Sequence, residues 1–223
     1  MSWEEQWTGS NGSAWPSYWT QAGNTGSVQD IQSNRGRMAT GSTAFNSGRW
    51  TQSNDDVSGG HPWLYNMDAI VRVNFQNPKV TQYPLMGVRS SGAVSGTYPT
   101  TGYFCEIEVN GNQYTLRKVV SNTVTTLQTI SKTFTAGTDI YLRIQAIGTT
   151  VQCRIWNVGS AEPTSWDAST TDSAITGTGG VYLSSQSGIN AVCTANYDEL
   201  YVSDMRLWTP QNRPVITSVG SWI

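Results

Sequence analysis

The sequence predicts an all-β protein built as two antiparallel sheets packed face to face. Three observations carry this. Short runs rich in Val, Ile, Thr, Tyr and Phe alternate apolar and polar residues with the two-residue period of a strand. Gly, Asn, Ser and Pro punctuate those runs at close intervals, and helical periodicity is almost absent. At 223 residues the chain exceeds an ordinary domain, but one β-sandwich often takes about 200–250 residues, so a single sandwich is expected. About ten to fourteen strands would divide into two sheets, because open sheets of more than about 4–6 strands tend to split or curl.

Along the chain, the first marked feature is the group Trp3, Trp7, Trp15 and Trp19. Residues 68–75 (DAIVRVNF) place Val71, Val73 and Phe75 on one face of a strand and Arg72 and Asn74 on the other. Residues 82–89 (QYPLMGVR) form the next strand. In YFCEIEV, residues 103–109, Cys105, Ile107 and Val109 point inward, leaving Glu106 and Glu108 on an outward, solvated polar face. Asn110-Gly111 separates this run from QYTLRKVV (113–120), and Asn-Gly between alternating runs is the strongest short-range hairpin signal. Residues 123–130 (TVTTLQTI) follow. The segment 140–156 (IYLRIQAIGTTVQCRIW) is a second hairpin turning near Gly148, with Leu142, Ile144, Ala146, Val151, Cys153 and Ile155 inward. A looser stretch, 157–180, leads to GVYLSS and to YDELYVSD (197–204), where Asp198, Leu200 and Val202 share a face. The apolar tail, 205–223, ends in Trp222-Ile223 and is expected either to fold back or to dock on a neighbouring copy.

Composition narrows the function. Charged residues are 13% of the chain, about half the ~25% of an average globular protein, and amides, hydroxyls and glycine fill the polar positions. A formal net charge of −2, with Lys and Arg scattered, offers no footprint for nucleic acid or an anionic membrane. No stretch approaches the roughly 20 apolar residues of a membrane helix. The start, MSWEEQWTG, lacks the basic-then-apolar layout of a secretion signal, so synthesis as a cytosolic product is expected. Cys105, Cys153 and Cys193 are an odd set without close pairing, read as buried free thiols. His61 is the only histidine, it lies in a Gly-Gly…Pro loop, and no G-x-S-x-G elbow supplies a nucleophile, so no catalytic triad is expected. Asp167 and Asp172 read as turn and capping residues.

The order of segments GRM (36–38), GYFCEIEVNGNQYTLRK (102–118), DIYLRIQAIGTTVQCRIW (139–156), EPTSWDASTTDSAITGTGGVYLSS (162–185) and YDELYVSD resembles the concanavalin A-like lectin/glucanase superfamily. The likeness is greatest to laminin G-like jelly rolls of bacterial secreted proteins and of minor tail or fibre proteins of bacteriophages. It spans residues 3–204, so one jelly-roll domain over residues 1–204 is expected, with 205–223 as a C-terminal extension. The resemblance implies a jelly-roll sandwich and, by family habit, one structural Ca2+ near Glu5, Gly36 and Asp198. An Asp in phase with buried Leu200 and Val202 needs a partner in any case, whether a cation, a salt bridge or a hydrogen bond. Related hydrolases carry an acid triplet on one strand, with the proton donor last. Here that place is Asn110, which cannot protonate a leaving group, so no catalytic residue is expected. Sugar binding would use aromatic rings framed by amides and carboxylates. His61, Trp63 and Tyr65 in one loop, with Tyr83, Tyr98, Tyr103 and Glu106 from neighbouring segments, are the candidates, although such rings also fill cores and interfaces.

The expectation is a non-enzymatic structural and adhesive component of a phage virion: a minor tail, fibre or surface-decoration protein that contacts host-surface polysaccharide and associates with other virion proteins and copies of itself. Assembly in the host cytoplasm and release by lysis would reconcile a sugar-facing surface with the missing export signal. The alternatives are a free carbohydrate-binding lectin module and, behind it, a glycoside hydrolase.

Overall fold

In a computed structural model the alternating runs pair into two sheets that face each other across one apolar layer. The structure describes residues 2–41, 48–75, 82–94, 98–135, 137–188 and 193–204, so the C-terminal extension 205–223, with its proposed docking role, lies outside the described residues. The N-terminal quarter supplies β1 (Ser2–Glu5), β2 (Trp19–Gly23), β3 (Val28–Ile31), β4 (Gly36–Ala39) and β5 (Gly48–Ser53). The middle supplies β6 (Met67–Phe75), β7 (Gln82–Ser91), β8 (Thr101–Glu108), β9 (Gln113–Val120) and β10 (Thr123–Ser131). The last third supplies β11 (Ile140–Ile147), β12 (Thr150–Asn157), β13 (Ala168–Thr171), β14 (Gly180–Ser187) and β15 (Thr194–Asp204). No helix occurs among the described residues.

The first sheet runs β13-β12-β11-β6-β15-β4-β3, with β1 also on β15; the second runs β10-β9-β8-β7-β14-β5-β2, and every pairing is antiparallel. This is a jelly-roll sandwich. Alternation decides what is buried: Val71, Val73 and Phe75 of the first sheet meet Cys105, Ile107 and Leu116 of the second in the shared core. Cys105, Cys153 and Cys193 are free and buried. Burial holds the thiols of Cys105 and Cys193 above their ordinary pKa.

Several expectations change in detail. The β8–β9 hairpin forms, but around a longer loop than Asn110-Gly111 alone, and its left-handed residue is Asn112 at φ 49° rather than the glycine. Asp198 does not share a face with Leu200 and Val202. Glu199 is a bulge residue at φ 47°, and the pairing slips between Asp198 and Tyr201. That extra residue turns Asp198 outward beside Arg72 while Leu200 and Val202 stay in the core.

The four N-terminal tryptophans are core residues. Trp3, Trp7, Trp15 and Trp19 are all buried and interlock, with ring centroids 4.9 Å apart for Trp7–Trp15 and 5.7 Å for Trp15–Trp19. Gly36 allows this: a Cβ there would lie 2.5 Å from the Trp15 ring and 2.8 Å from Trp7.

Arg89 ties the segments between strands together. It is 1% exposed, at a left-handed φ of 49°, and its guanidinium donates to the carbonyls of Tyr65, Ala146, Gly148 and Ile175. Tyr65 stacks on it at 4.3 Å.

Candidate functional site

The outer face of the second sheet holds a recess of about 330 Å³ lined by Tyr83, Tyr98, Glu106, Glu108, Arg117 and Gln186. Four adjacent strands supply it: Tyr83 from β7, the two acids from β8, Arg117 from β9 and Gln186 from β14, the last directly opposite Tyr83. All sit at outward phases, so the same alternation that fills the core assembles this wall. Beneath it lies a small apolar patch of Trp50, Leu85, Phe104, Val119 and Tyr182. Gly87 makes room for that patch, since a Cβ there would run into the Phe104 ring.

Tyr98 comes from the connection between β7 and β8 and closes over the wall, its ring edge-on to Phe104 at 5.6 Å. Its hydroxyl donates to Glu106 Oε2 and accepts from Arg117 Nη1 at 3.0 Å. Arg117 Nη2 lies 3.1 Å from Glu106 Oε1. Glu106 is therefore only 4% exposed, which corrects the expectation of a solvated acid; the cover comes from a segment that strand periodicity does not locate. Burial pushes the Glu106 carboxyl above its usual range, Arg117 and the Tyr98 hydrogen bond pull it back, and Glu108 adds a further upward push. Burial and the nearby carboxylates also raise the Tyr83 and Tyr98 hydroxyls, so both remain protonated donors at neutral pH. Arg117 Nε is buried without a hydrogen-bond partner. Glu108 accepts from Gln113 Nε2 at 2.5 Å.

The recess thus offers two phenol rings, two carboxylates, a guanidinium and an amide in one wall. Hydroxyl-rich ligands suit such a mixture, because each sugar hydroxyl both donates and accepts and an aromatic face can pack against the C–H face of a sugar. As a hydrolytic acid Glu106 is poorly placed: it has a partner on each oxygen, whereas a general acid must present its proton to a leaving group.

The structure brings Tyr83, Tyr98 and Glu106 together and leaves the other candidate rings elsewhere. Tyr103 faces the core, 0% exposed, its hydroxyl donating to Asp172 at 2.8 Å and pushed up to about 12 by burial and that carboxylate. Its place follows from period two, which sets it with Cys105 rather than with Glu106. His61 stacks on Tyr18 with centroids 3.7 Å apart, Trp63 donates from Nε1 to Ser53 O at 2.8 Å, and Tyr65 lies against Arg89. None of these lines the recess. Sequence reasoning left out Glu108, Arg117 and Gln186 from the site. Arg117 was legible as the outward residue of the strand paired with β8, whereas Gln186 needed the β7–β14 pairing, which joins segments about a hundred residues apart.

The residues that the resemblance associates with Ca2+ do not converge. Glu5 faces inward and accepts from Trp7 N at 2.7 Å, from the Tyr18 hydroxyl and from Trp19 Nε1 at 3.4 Å. Gly36 lies under the tryptophan rings, and Asp198 is on the opposite face of the sheet, 3.7 Å from Arg35 Nε and 3.9 Å from Arg72 Nη1. Glu5 and Asp198 thus point to opposite sides of the first sheet and do not fit one Ca2+ shell. Among the described residues, no group of three or more His, Cys, Asp or Glu side chains is placed to hold a metal ion.

No protein-family model matches the chain, and no curated protein matches it in sequence. Solved structures do resemble it in fold. Carbohydrate-binding module CBM66 from Bacillus subtilis aligns with a TM-score of 0.59 at 10% identity, covering 83% of this chain and 96% of that one. The Ca2+-bound exoplasmic/lumenal domain of VIP36 aligns at 0.63 with 10% identity, covering 94% and 92%. The CBM2 module of the evolved Dit of Lactobacillus casei BL23 phage J-1 aligns at 0.56 with 12% identity, covering 90% and 95%. At these identities the likeness is one of fold: a jelly-roll sandwich.

Proposed function

We propose that the chain is a non-enzymatic carbohydrate-binding protein that takes a saccharide in the recess framed by Tyr83, Tyr98, Glu106, Glu108, Arg117 and Gln186. The observation that carries this is the recess itself, with aromatic rings and mixed donors and acceptors gathered on one outer sheet face. The fold likeness to CBM66 and to the phage Dit module supports the reading. A glycan array with the full chain tests it: saturable binding that falls at least tenfold in Tyr83→Ala and Arg117→Ala supports the site, and binding unchanged in both overturns it. Release of reducing ends that disappears in Glu106→Gln would make the protein a glycoside hydrolase instead.

The biological setting we propose is a bacteriophage virion, with the protein as a minor tail, fibre or surface-decoration component facing host-surface polysaccharide. It would be assembled in the host cytoplasm and exposed after lysis. Repetition then matters, since many copies engaging together raise avidity by about 10²–10⁴ over one weak site. The likeness to the phage Dit module and the nearly uncharged, amide-rich composition support this. A free lectin module is the second reading, and the likeness to VIP36 and CBM66 favours it equally. Light scattering of the full chain and of a chain ending at Asp204 separates the two: self-association that depends on residues 205–223 favours the virion component, and a monomer in both forms favours the free module.

A further inference from the structure

A second recess, of about 380 Å³, opens on the opposite side of the molecule, on the outer face of the first sheet. A polar row crosses the strands there. Asp30 on β3 sits opposite Arg37 on β4, Arg37 opposite Asn196 on β15, and Asn196 opposite Asn74 on β6, whose amide donates to Asp139 at 2.6 Å. The charges are closed at both ends. Arg37 holds Asp30 through Nε and Nη2 at 2.8 and 2.7 Å, and Arg35 holds Asp139 through Nη1 and Nη2 at 3.0 and 2.8 Å.

Asn196 is the exception in the row. It lines the recess and is only 8% exposed, and its side-chain amide has no hydrogen-bond partner among the described residues. Its amide meets the open space of the recess at the centre of the row, so its donor and acceptor are available to a ligand. Around it stand the free Nη1 of Arg37, the Ser33 hydroxyl and Gln32, whose Nε2 is already committed to Asp30 at 2.9 Å, leaving its Oε1 to accept. The rim is rigid: Ser33 and Asn34 are left-handed at φ 53° and 55° in a tight turn closed by Gln32–Arg35 backbone bonds of 2.8 and 3.0 Å.

We propose that this recess is a second saccharide site that takes the hydroxyl edge of an uncharged sugar. Donors and acceptors stand side by side on one sheet face, and each sugar hydroxyl can both donate and accept. An anionic sugar is disfavoured, because each lining guanidinium is already neutralised by an aspartate and Asp30 and Asp139 flank the row. Among the described residues no aromatic ring lines the recess, so recognition is by hydrogen bonds. Because the two recesses lie on opposite faces, one chain could bridge two glycan strands.

The test is a titration of the full chain, following the Asn196 side-chain amide by NMR, with cellohexaose, maltohexaose, laminarihexaose and mannohexaose, and with hexagalacturonate as the anionic counterpart. The expected result is saturable movement of the Asn196 amide with at least one neutral oligosaccharide and none with hexagalacturonate, and at least a tenfold weaker response of its neighbour Asn74 in Asn196→Leu. The wild-type amide shift needs no variant, so a misfolded substitution does not spoil the test. No movement with any neutral sugar, movement with hexagalacturonate alone, or an unchanged Asn74 response in the variant would overturn the site. Movement near Tyr83 and Arg117 without movement at Asn196 would sink this site alone, and the reverse would sink the proposal for the first recess.

Discussion

Arg117 reaches Glu106 from the adjacent strand, Nη2 to Oε1 at 3.1 Å, and Tyr98 covers the pair. The first recess depends on that ion pair, because Arg117 opposes the upward push that burial gives the Glu106 carboxyl. Arg117→Met should leave the buried carboxylate without its counter-charge, held by the Tyr98 hydroxyl alone, and cost about 1–3 kcal/mol at neutral pH, less than a fully buried pair because the Arg117 side chain is 26% exposed. The sign with pH follows. Glu106's folded-state pKa is raised, so its contribution is fully present below the ordinary carboxylate range and is lost as pH rises through the raised value. Removing the arginine enlarges that rise, so the stability gap between variant and wild type should narrow as pH falls from about 7 toward about 4. Urea unfolding across that range measures it, and a pH-independent gap would mean that the pair carries no electrostatic weight.

Arg89 is the second test of a buried cation. Its guanidinium satisfies four carbonyls from three separate segments, so Arg89→Met should expose those acceptors to an apolar site and cost about 3–5 kcal/mol. Arg89→Lys should recover little, because an ammonium cannot span the same planar fork. Chemical denaturation of both variants checks the order.

Gly36→Ala probes the tryptophan cluster. The new methyl group would meet Trp15 at 2.5 Å and Trp7 at 2.8 Å, both in a filled core. Overpacking of this kind costs about 1–3 kcal/mol, and near-ultraviolet circular dichroism should report altered tryptophan packing. An unchanged spectrum with unchanged stability would mean that the rings have room to move.

Asp139 sets the acid limit of the first sheet's outer face. Burial opposes its charge, but hydrogen bonds from Arg35, Arg72 and Asn74 outweigh that and hold its carboxyl down at about 2. A depressed folded-state pKa gives stability that is present above the unfolded value, near 3.8, and is lost as pH falls toward about 2. The Tm difference between wild type and Asp139→Asn should therefore be constant above about pH 5 and shrink on acidification through that window. Thermal melts at fixed ionic strength follow it.

The three thiols give a simpler expectation. Cys105, Cys153 and Cys193 are buried, so an aromatic disulfide reagent should label none of them in the native protein and all three after denaturation. Rapid labelling of Cys105 in the native state would contradict the core packing.

Much of the fold was legible because strand faces obey a local rule. Val71, Val73 and Phe75, like Cys105, Ile107 and Val109, declared their burial by alternation alone, and the β8–β9 and β11–β12 hairpins followed from short connections. The short N-terminal strands β1 to β5 were not read: at four to six residues each they show little alternation, and β1 and β4 on β15 and β5 on β14 pair with segments far away in sequence, although β3 pairs with its neighbour β4. The candidate site was legible in its strand residues Tyr83 and Glu106. Its cover was not, because nothing local says that Tyr98 folds across Glu106, nor that Gln186 arrives beside Tyr83.

The sequence by itself determined the all-β class, the inward and outward faces of the long strands, the scarcity of charge and the missing acid at Asn110, since each depends on residue type and on neighbours a few positions away. Tertiary structure decided the rest. The bulge at Glu199 turned Asp198 from the core toward Arg35 and Arg72, and the turn above β8 buried Glu106. Both outcomes depend on which distant segments come to lie against a strand, and it is that contact, set by packing and by the solvent it removes, that fixes whether a carboxylate is free, paired or hidden.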